Sequence, residues 1–503
     1  MQRLRRMTLS AAAMAAGALC ACTVGNNYQQ PQLRMDATYG PAATQAASQA
    51  ATQSATTAWW KSLNDPLLDQ LVERAAAANL DLVQAAARIR GVRAQRAVTA
   101  GGELPTLNAD GGYTHQRYSQ NAAPFNAFDT PGFPWEFNLY QLGFDASWEL
   151  DFFGGTRRAV EAANADVAAG IEDQRAVLVS VTAETARTYV ELRGYQHEAS
   201  LARENLALQR ESLEITREQM KNGVGTQLDV SRAQAQVAAT EAAIPLLQRN
   251  AWQAIHRLAL LLNEPIESLA VLESERPIPV APPAVAVGVP AELLRRRPDI
   301  RRAERRLAAA SARTGQAQAA LYPRFSLTGL FNLQSANIED LFKWRSRALS
   351  LGPSVEWPIF DAGALRAAVR VRSAGQEEAL AAYEQTVRQA VTEVQDGLVA
   401  FTTERQRRGY LADAVAADRV AFDLAQQLYR QGLTDFLTVL DAERALYNAQ
   451  DALARSDTDQ ATALIGLYKA LGGGWDTDAG VLPGSSTLAA ASTPPAPLEH
   501  GHD

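Results

Sequence analysis

Leu139-Tyr-Gln-Leu-Gly-Phe-Asp-Ala-Ser-Trp-Glu-Leu150 alternates without a break: Tyr140, Leu142, Phe144, Ala146, Trp148 and Leu150 fall on one side of an extended chain, and Gln141, Gly143, Asp145, Ser147 and Glu149 on the other. A period of two describes a strand with one apolar and one wet face. The pattern returns where Leu349, Leu351, Val355, Trp357 and Ile359 alternate with Ser350, Gly352, Ser354 and Glu356. Each segment has a weaker partner upstream, Leu107 to Ser119 and Phe325 to Gln334, across connections at 120–138 and 335–347 of hairpin-loop character. In a soluble protein such strands cover a half-buried sheet. Here there are only four, each about ten residues long, bordered by very long helices rather than by more sheet. A bilayer admits strands only as a closed barrel, and the smallest natural single-chain barrels need about eight. Four strands do not close alone. Three chains would supply twelve, so the pattern predicts a membrane β-barrel shared by a homotrimer, with Trp148 and Trp357 in its aromatic girdle.

The strand pairs belong to a larger repeat. Trp148–Gly154 overlays Trp357–Gly363 at a displacement of 209, which also carries Arg157 onto Arg366, Gly223 onto Gly432, Leu228 onto Leu437 and Leu262 onto Leu471 without a gap. Further upstream the displacement is 218, and Asp81 meets Asp299 while Pro105 meets Pro323. Register held over such a length makes the chain two copies of one structural unit, too long for a solenoid period. In each copy a helical stretch, Leu67 to Ala100 or Pro298 to Ala320, precedes the strands, and a very long helix follows them. Between Thr156 and Gly223 only isolated glycines interrupt the pattern, and at about 1.5 Å per residue this helix spans roughly 100 Å. Leu192, Tyr195, Ala199, Ala202, Leu206, Gln209, Leu213 and Thr216 step by three and four, the rhythm of coiled-coil packing. Each long helix stops at a glycine, Gly223 or Gly432, turns and restarts, giving two long helical hairpins with tips far from the barrel. The expected fold class is therefore a membrane β-barrel joined to long α-helical coiled-coil hairpins, which the family resemblance given below extends to a coiled-coil barrel.

The start of the chain gives an address. Residues 1–22, MQRLRRMTLSAAAMAAGALCAC, have the basic start, apolar stretch and small-residue end of a bacterial export signal. Leu19-Cys20-Ala21-Cys22 resembles a lipobox, and Cys22 fits acylation better than Cys20 because small Ala21 precedes it. The alternative is an ordinary signal peptide with an incidental cysteine. Thr23 rather than Asp after Cys22 favours outer-membrane sorting, and acyl chains would anchor without spanning. After residue 22 no run of about 18 apolar residues occurs, so no transmembrane helix is indicated.

Composition narrows the function. The chain has 503 residues, 48 Lys and Arg against 55 Asp and Glu, and a net charge of −7, which argues against a nucleic-acid binder. Its two cysteines, Cys20 and Cys22, both precede the folded body, leaving it without thiol chemistry or a cysteine metal site. There is no G-x-S-x-G, Walker loop or H-E-x-x-H, and His197-Glu198 lacks its second histidine. We therefore expect no enzyme activity, no resident metal and no cofactor beyond the lipid on Cys22. Arg295–Arg297 with Arg301, Arg302, Arg305 and Arg306 read as a solvated helix face, and the His500-Gly-His502 ending as a solvated tail.

Cys22–Tyr28 with Pro31, Trp59-Trp-Lys-Ser-Leu-Asn-Asp-Pro66 followed by Asn79-Leu-Asp81, Arg296-Arg-Pro-Asp-Ile300, Tyr322-Pro323 and Leu467-Tyr-Lys-Ala-Leu-Gly-Gly-Gly-Trp475 together resemble the outer-membrane factor lipoproteins of tripartite efflux systems, the TolC-like family. The likeness runs from Cys22 to Trp475 and departs at Asn26-Asn27, where the family often has Pro beside Asp or Asn. It implies a homotrimer in the outer membrane of a Gram-negative bacterium, a twelve-stranded barrel continuous with a periplasmic helical tunnel, and partners in a periplasmic adaptor and an inner-membrane transporter. It also implies a periplasmic gate at Tyr429, Leu437 and Asp441, and adaptor-docking tips at Gly223, Val224, Gly225, Thr226, Leu228, Asp229, Gly432, Leu433 and Thr434. Leu437 and Asp441 are four apart and share a helix face, so threefold symmetry would give an apolar ring and a carboxylate ring, which favours cations in a pore. From the residues alone, Leu437 reads as core and Asp441 as a solvated helix position, and the tip glycines as turn formers.

The reading divides the chain into a signal at 1–21, an anchored extended segment at 22–66, tunnel helices and linker at 67–106 and 263–324, barrel hairpins at 107–151 and 325–360, helical hairpins at 152–262 and 361–471, and a tail at 472–503. The expected function is a passive, gated exit duct for drugs or other small toxic compounds. Alternatives are a duct for metal ions or proteins, and a coiled-coil envelope lipoprotein that conducts nothing.

Overall fold

The computed structural model describes residues 23–33, 47–48, 57–119, 135–282, 285–286 and 290–475. The signal, Cys22, much of the first strand connection and the tail beyond Trp475 lie outside the described residues. Helices are α1 (Pro66–Ala78), α2 (Leu80–Gly101), α3 (Gly155–Lys221), α4 (Gln227–Leu262), α5 (Pro290–Arg296), α6 (Pro298–Ala319), α7 (Ala364–Arg430) and α8 (Phe436–Ala470). Strands are β1 (Ala47–Ser48), β2 (Thr106–Arg117), β3 (Glu136–Leu150), β4 (Val285–Ala286), β5 (Arg324–Ser335) and β6 (Arg347–Glu356). The displacement of 209 carries α3 onto α7 residue for residue, and that of 218 carries α2 onto α6 and β2 onto β5. No helix among the described residues is long and apolar enough to cross a membrane.

The chain forms two compact units. One takes residues 1–31, 90–169 and 304–382, the other 32–89, 170–303 and 383–503. The first holds an antiparallel sheet in the order β2-β3-β5-β6, whose edge strands are β2 and β6. Past the end of β3 Phe153 stacks on Tyr322 at 4.7 Å and Phe152 meets Phe325 of β5 edge-on at 5.1 Å, tying the exit of β3 to the entry of β5.

The second unit is built on a buried aromatic knot. Trp59 stacks on Tyr468 at 5.4 Å and meets Trp60 edge-on at 5.8 Å. The Tyr189 hydroxyl donates to Asp65 at 2.6 Å. Asp65 also caps α1, accepting from the amides of Leu67 and Leu68 at 2.9 and 3.2 Å, while Pro66 takes the first helical position where no amide is needed. The guanidiniums of Arg175 and Arg301 lie over the Trp475 ring, 4.6 and 5.3 Å from its centre. Buried Arg297 donates to the Ala470 carbonyl at 2.8 Å and pairs with Asp299 and Glu393 at 2.6 and 2.7 Å. Gly474 sits at φ 104°, and a Cβ there would fall 2.9 Å from the Thr182 hydroxyl. These are the motif residues of the family resemblance, and locally their work is packing.

The basic run of α6 corrects the sequence reading. Arg295 and Arg306 are exposed, but Arg301 pairs with buried Glu172 at 2.8 Å and Arg302 with Asp173 at 2.5 Å in one unit, and further along α6 Arg313 pairs with Asp166 in the other. The acids lie on α3, more than a hundred residues away in sequence, so charge counting along α6 alone does not find them.

Candidate functional site

Two regions carry the functional residues: the sheet, and the tips of the helical hairpins. In the sheet, directly opposed residues share a face, so the register sorts the side chains. One face gathers Leu107 and Tyr113 from β2, Tyr140, Leu142, Phe144 and Trp148 from β3, Phe325, Leu327, Phe331 and Leu333 from β5, and Leu349, Leu351 and Val355 from β6. The other gathers Asn108 and Asp110, Gln141, Asp145 and Glu149, Ser326, Thr328, Asn332 and Gln334, and Ser350, Ser354 and Glu356, with Phe137, Leu139 and Leu330 as its large apolar exceptions. Large residues of the apolar face, among them Leu107, Phe144, Leu349 and Leu351, are exposed in the chain. A water-facing sheet would place its polar face outward and hide the apolar one. On the polar face Asn108 donates to Asp145 at 2.9 Å, and Gly143 leaves room for buried Asn332, whose Cγ a side chain there would meet at 2.7 Å.

The apolar face has an aromatic rim at each end. Towards the helices, the Trp148 indole donates to the Glu103 carbonyl at 3.0 Å and the Trp357 indole to that of Leu321 at 3.2 Å, repeat-related bonds that fix both tryptophans at strand ends. Towards the loops, Tyr113 packs on Tyr140 at 4.8 Å. The sequence reading missed this second rim because β2 alone alternates weakly, and only pairing with β3 puts the two rings together.

The segment after Cys22 is held on the same unit. The Val24 amide donates to the Phe153 carbonyl at 3.0 Å, just past β3. Arg158, 3% exposed, donates to the carbonyls of Val24 and Gly25 at 3.2 and 2.8 Å and to the Asn27 side chain at 3.0 Å. Gly25, at φ 90°, passes so near Gly315 that a Cβ would lie 2.8 Å from its Cα.

At the first hairpin tip α3 ends with Gly223 at φ 76°, its amide donating to the Met220 carbonyl at 3.0 Å. Thr226 then opens α4 with a capping box: its hydroxyl accepts from the Asp229 amide at 3.3 Å, while Asp229 accepts from the Thr226 amide at 3.1 Å. At the second tip Gly432 lies at φ 69°, and Asp435 opens α8 by accepting from the Thr438 amide at 3.0 Å and hydroxyl at 2.7 Å. The displacement of 209 matches Thr226 with Asp435 and Asp229 with Thr438, so the two copies use the same pair of residue types in opposite order. Hydrogen bonds from Thr438 hold the Asp435 carboxyl below the usual carboxylate range. Val224, Leu228, Leu433 and Leu437 are left exposed around the two turns.

The three residues assigned to a gate do not share one surface. Leu437, 42% exposed, and exposed Asp441 lie one turn apart on the outer face of α8. Tyr429 is only 7% exposed and packs with Phe422, Phe436, Val439 and Leu440, its ring 5.6 Å from that of Phe436. Burial raises its hydroxyl pKa. Tyr429 is thus a core residue beneath the exposed face rather than part of it, and Leu437 is not core.

Glu443, two residues past Asp441, went unnoticed in the sequence. It is 6% exposed, and one carboxyl oxygen has no hydrogen-bond partner. Burial pushes its pKa up to about 7, opposed only by neighbouring Arg444. The antiparallel register of α3 and α8, set by Asn205 donating to Gln450 at 3.1 Å and by Arg455 beside Glu198 at 3.5 Å, brings buried Gln209 and Ser212 to the level of Glu443. The heptad count had placed Gln209 in the seam but not its partner.

Residues 71–264 and 289–473 match the family described as Outer membrane efflux protein. The chain is 35% identical over 421 residues to the pyoverdine export outer membrane protein OpmQ of Pseudomonas putida, covering 84% of this chain and 88% of that one. It is 32% identical over 465 residues to the toluene efflux pump outer membrane protein TtgF of Pseudomonas putida, covering 91% and 95%. The solved structure of the outer-membrane channel OprN superposes with a TM-score of 0.83 at 39% identity, covering 90% of this chain and all of that one.

Proposed function

Because the chain belongs to the outer membrane efflux protein family, we propose that three copies build the exit duct of an efflux system, each giving four strands to a twelve-stranded barrel. The observation that carries this reading is the sheet itself: one face apolar and exposed, the other polar, and both edges, β2 and β6, without a partner strand among the described residues. Hydrocarbon offers nothing to an open row of backbone amides and carbonyls, so edges in a bilayer must be closed by further strands. Pairing β6 of one copy with β2 of the next closes them all and turns the polar face inward around water. A non-conducting tether has no use for such a face.

Local geometry supports further assignments within this proposal. The seat of Val24 and Gly25 on Arg158 supports Cys22 as the acylated residue, because it holds the chain just after that cysteine beside the end of β3. Under threefold symmetry Leu437 and Asp441 form an apolar and a carboxylate ring at the periplasmic entrance, with Tyr429 supporting them from within. The exposed turns at Gly223–Leu228 and Gly432–Thr434 receive the adaptor, and an inner-membrane transporter supplies the energy. The cargo is small organic compounds, the class to which the toluene and pyoverdine of the named relatives belong.

The mass of the detergent-solubilised protein, measured by light scattering with the bound detergent subtracted, tests the assembly. The expected particle contains three chains. A single-chain particle with full strand and helix content by circular dichroism would contradict it.

A further inference from the structure

The turn between β5 and β6 is ordered and chemically unlike the rest of the sheet unit. Two short helical turns, Ile338–Asp340 and Trp344–Ser346, are closed by the Ser346 hydroxyl donating to the Asp340 carbonyl at 2.7 Å, over a buried Leu341. The compact frame displays Ile338, Phe342 and Trp344, which are 58%, 72% and 77% exposed. Interleaved with them are Lys343, Arg345 and Arg347. Lys343 pairs with Asp340, and Arg347 lies over the Trp344 ring at 4.0 Å. Neither Arg345 nor Arg347 meets a carboxylate among the described residues, and Glu339 is the one other acid of the turn.

Register places this cluster. Arg347 opposes Leu333 and therefore stands on the apolar face, which continues through Leu349, Leu351 and Val355. From Arg347 to Val355 the strand rises about 27 Å, and a tilt of roughly 35–45° reduces this to about 20 Å, close to the apolar band of a barrel wall at about 25 Å. A guanidinium thus stands at one border of the apolar band, with the girdle tryptophans at the other. At that border an outward-facing cation meets lipid phosphate. Stacking on Trp344 leaves the guanidinium edge free for two-pronged donation to phosphate oxygens, while Phe342 and Trp344 suit the acyl boundary beneath it.

We propose that the 338–347 turn is a binding site for the phosphate groups of outer-leaflet lipid, with Arg345 and Arg347 as the phosphate ligands and Phe342 and Trp344 as the apolar anchor. This rests on the outer-membrane reading of the sheet. Charge-unpaired arginines among exposed aromatics would otherwise be a liability for a surface turn.

The test is native mass spectrometry of the full-length, detergent-purified protein with added diphosphoryl lipid A. Wild type is expected to retain this lipid on the order of tenfold more than an Arg345→Gln, Arg347→Gln variant, and Arg345→Lys, Arg347→Lys to keep most of the binding. Inorganic phosphate at millimolar concentration is expected to compete poorly, because it lacks the acyl part. Equal retention by wild type and the Gln variant overturns the proposal, as does full displacement by inorganic phosphate, which would make this a free-anion site. Loss of the trimer mass with lipid retention intact also overturns it, because the arginines would then serve contact between copies. Insertion of wild type into liposomes is scored separately: failure to insert sinks the outer-membrane reading, while insertion without preference for phosphorylated lipid sinks only this inference.

Discussion

Glu443 shows how one side chain in α8 sets a pH dependence. Burial favours its neutral form, so its folded-state pKa of about 7 lies above the 4.5 of an ordinary glutamate. The sign follows directly: this stability is fully present below about pH 4.5 and is lost as pH rises through about 7, and the full difference is worth about 3 kcal/mol. From its own helix the Arg444 charge opposes the shift. Glu443→Gln is therefore expected to raise the thermal midpoint at about pH 8 and to leave it nearly unchanged at about pH 5. Equal shifts at both pH values would contradict the assignment. Gly194 is a second residue where magnitudes decide. Alanine there gains about 1 kcal/mol of helix propensity, but its Cβ would meet Thr458 Cγ2 at 2.9 Å, and overpacking costs about 1–3 kcal/mol. Gly194→Ala should therefore be net destabilising, by urea titration, and a stabilised variant would show that α3 and α8 have room to part. Residues of this kind are poorly legible in sequence. Tyr429 and Glu443 both fit an exposed or a buried position by spacing, and only the helix packed against them decides which.

At the scale of elements the sequence carries more, because its repeat is physical. Two copies obey the same sterics, so the displacement of 209 that aligns Gly223 with Gly432 also aligns the starts and ends of α3 and α7. Strand alternation likewise names the apolar face of β3 correctly, and the partners then follow from register. The swapped caps show what a repeat conserves: a carboxylate and a hydroxyl three residues apart, in either order. Asp435→Ala removes the acceptor of the Thr438 amide, and hydrogen exchange at the first amides of α8 is expected to quicken on the order of fivefold. Exchange unchanged at Thr438 would mean that water replaces the cap at no cost. The ion pairs of α6 lay beyond this level of reading, since their partners come from α3 and nothing local to α6 marks them.

At the scale of the whole molecule each chain is, in the proposed duct, one third of a conduit whose entrance is closed at the second hairpin tip. The proposal of a shared barrel rests in the sequence on a count, four strands where a bilayer needs more. The proposed gate rests on resemblance alone, and the fold buries Tyr429 while leaving Leu437 and Asp441 exposed. Planar-bilayer conductance of wild type and a Leu437→Ser, Asp441→Ala variant, with insertion verified, tests this most directly. A poorly conducting wild type and a variant conducting on the order of tenfold better is the result predicted, as removal of an apolar ring and a carboxylate ring requires. Equal, high conductance in both would contradict the gate, and silence in both the conduit itself.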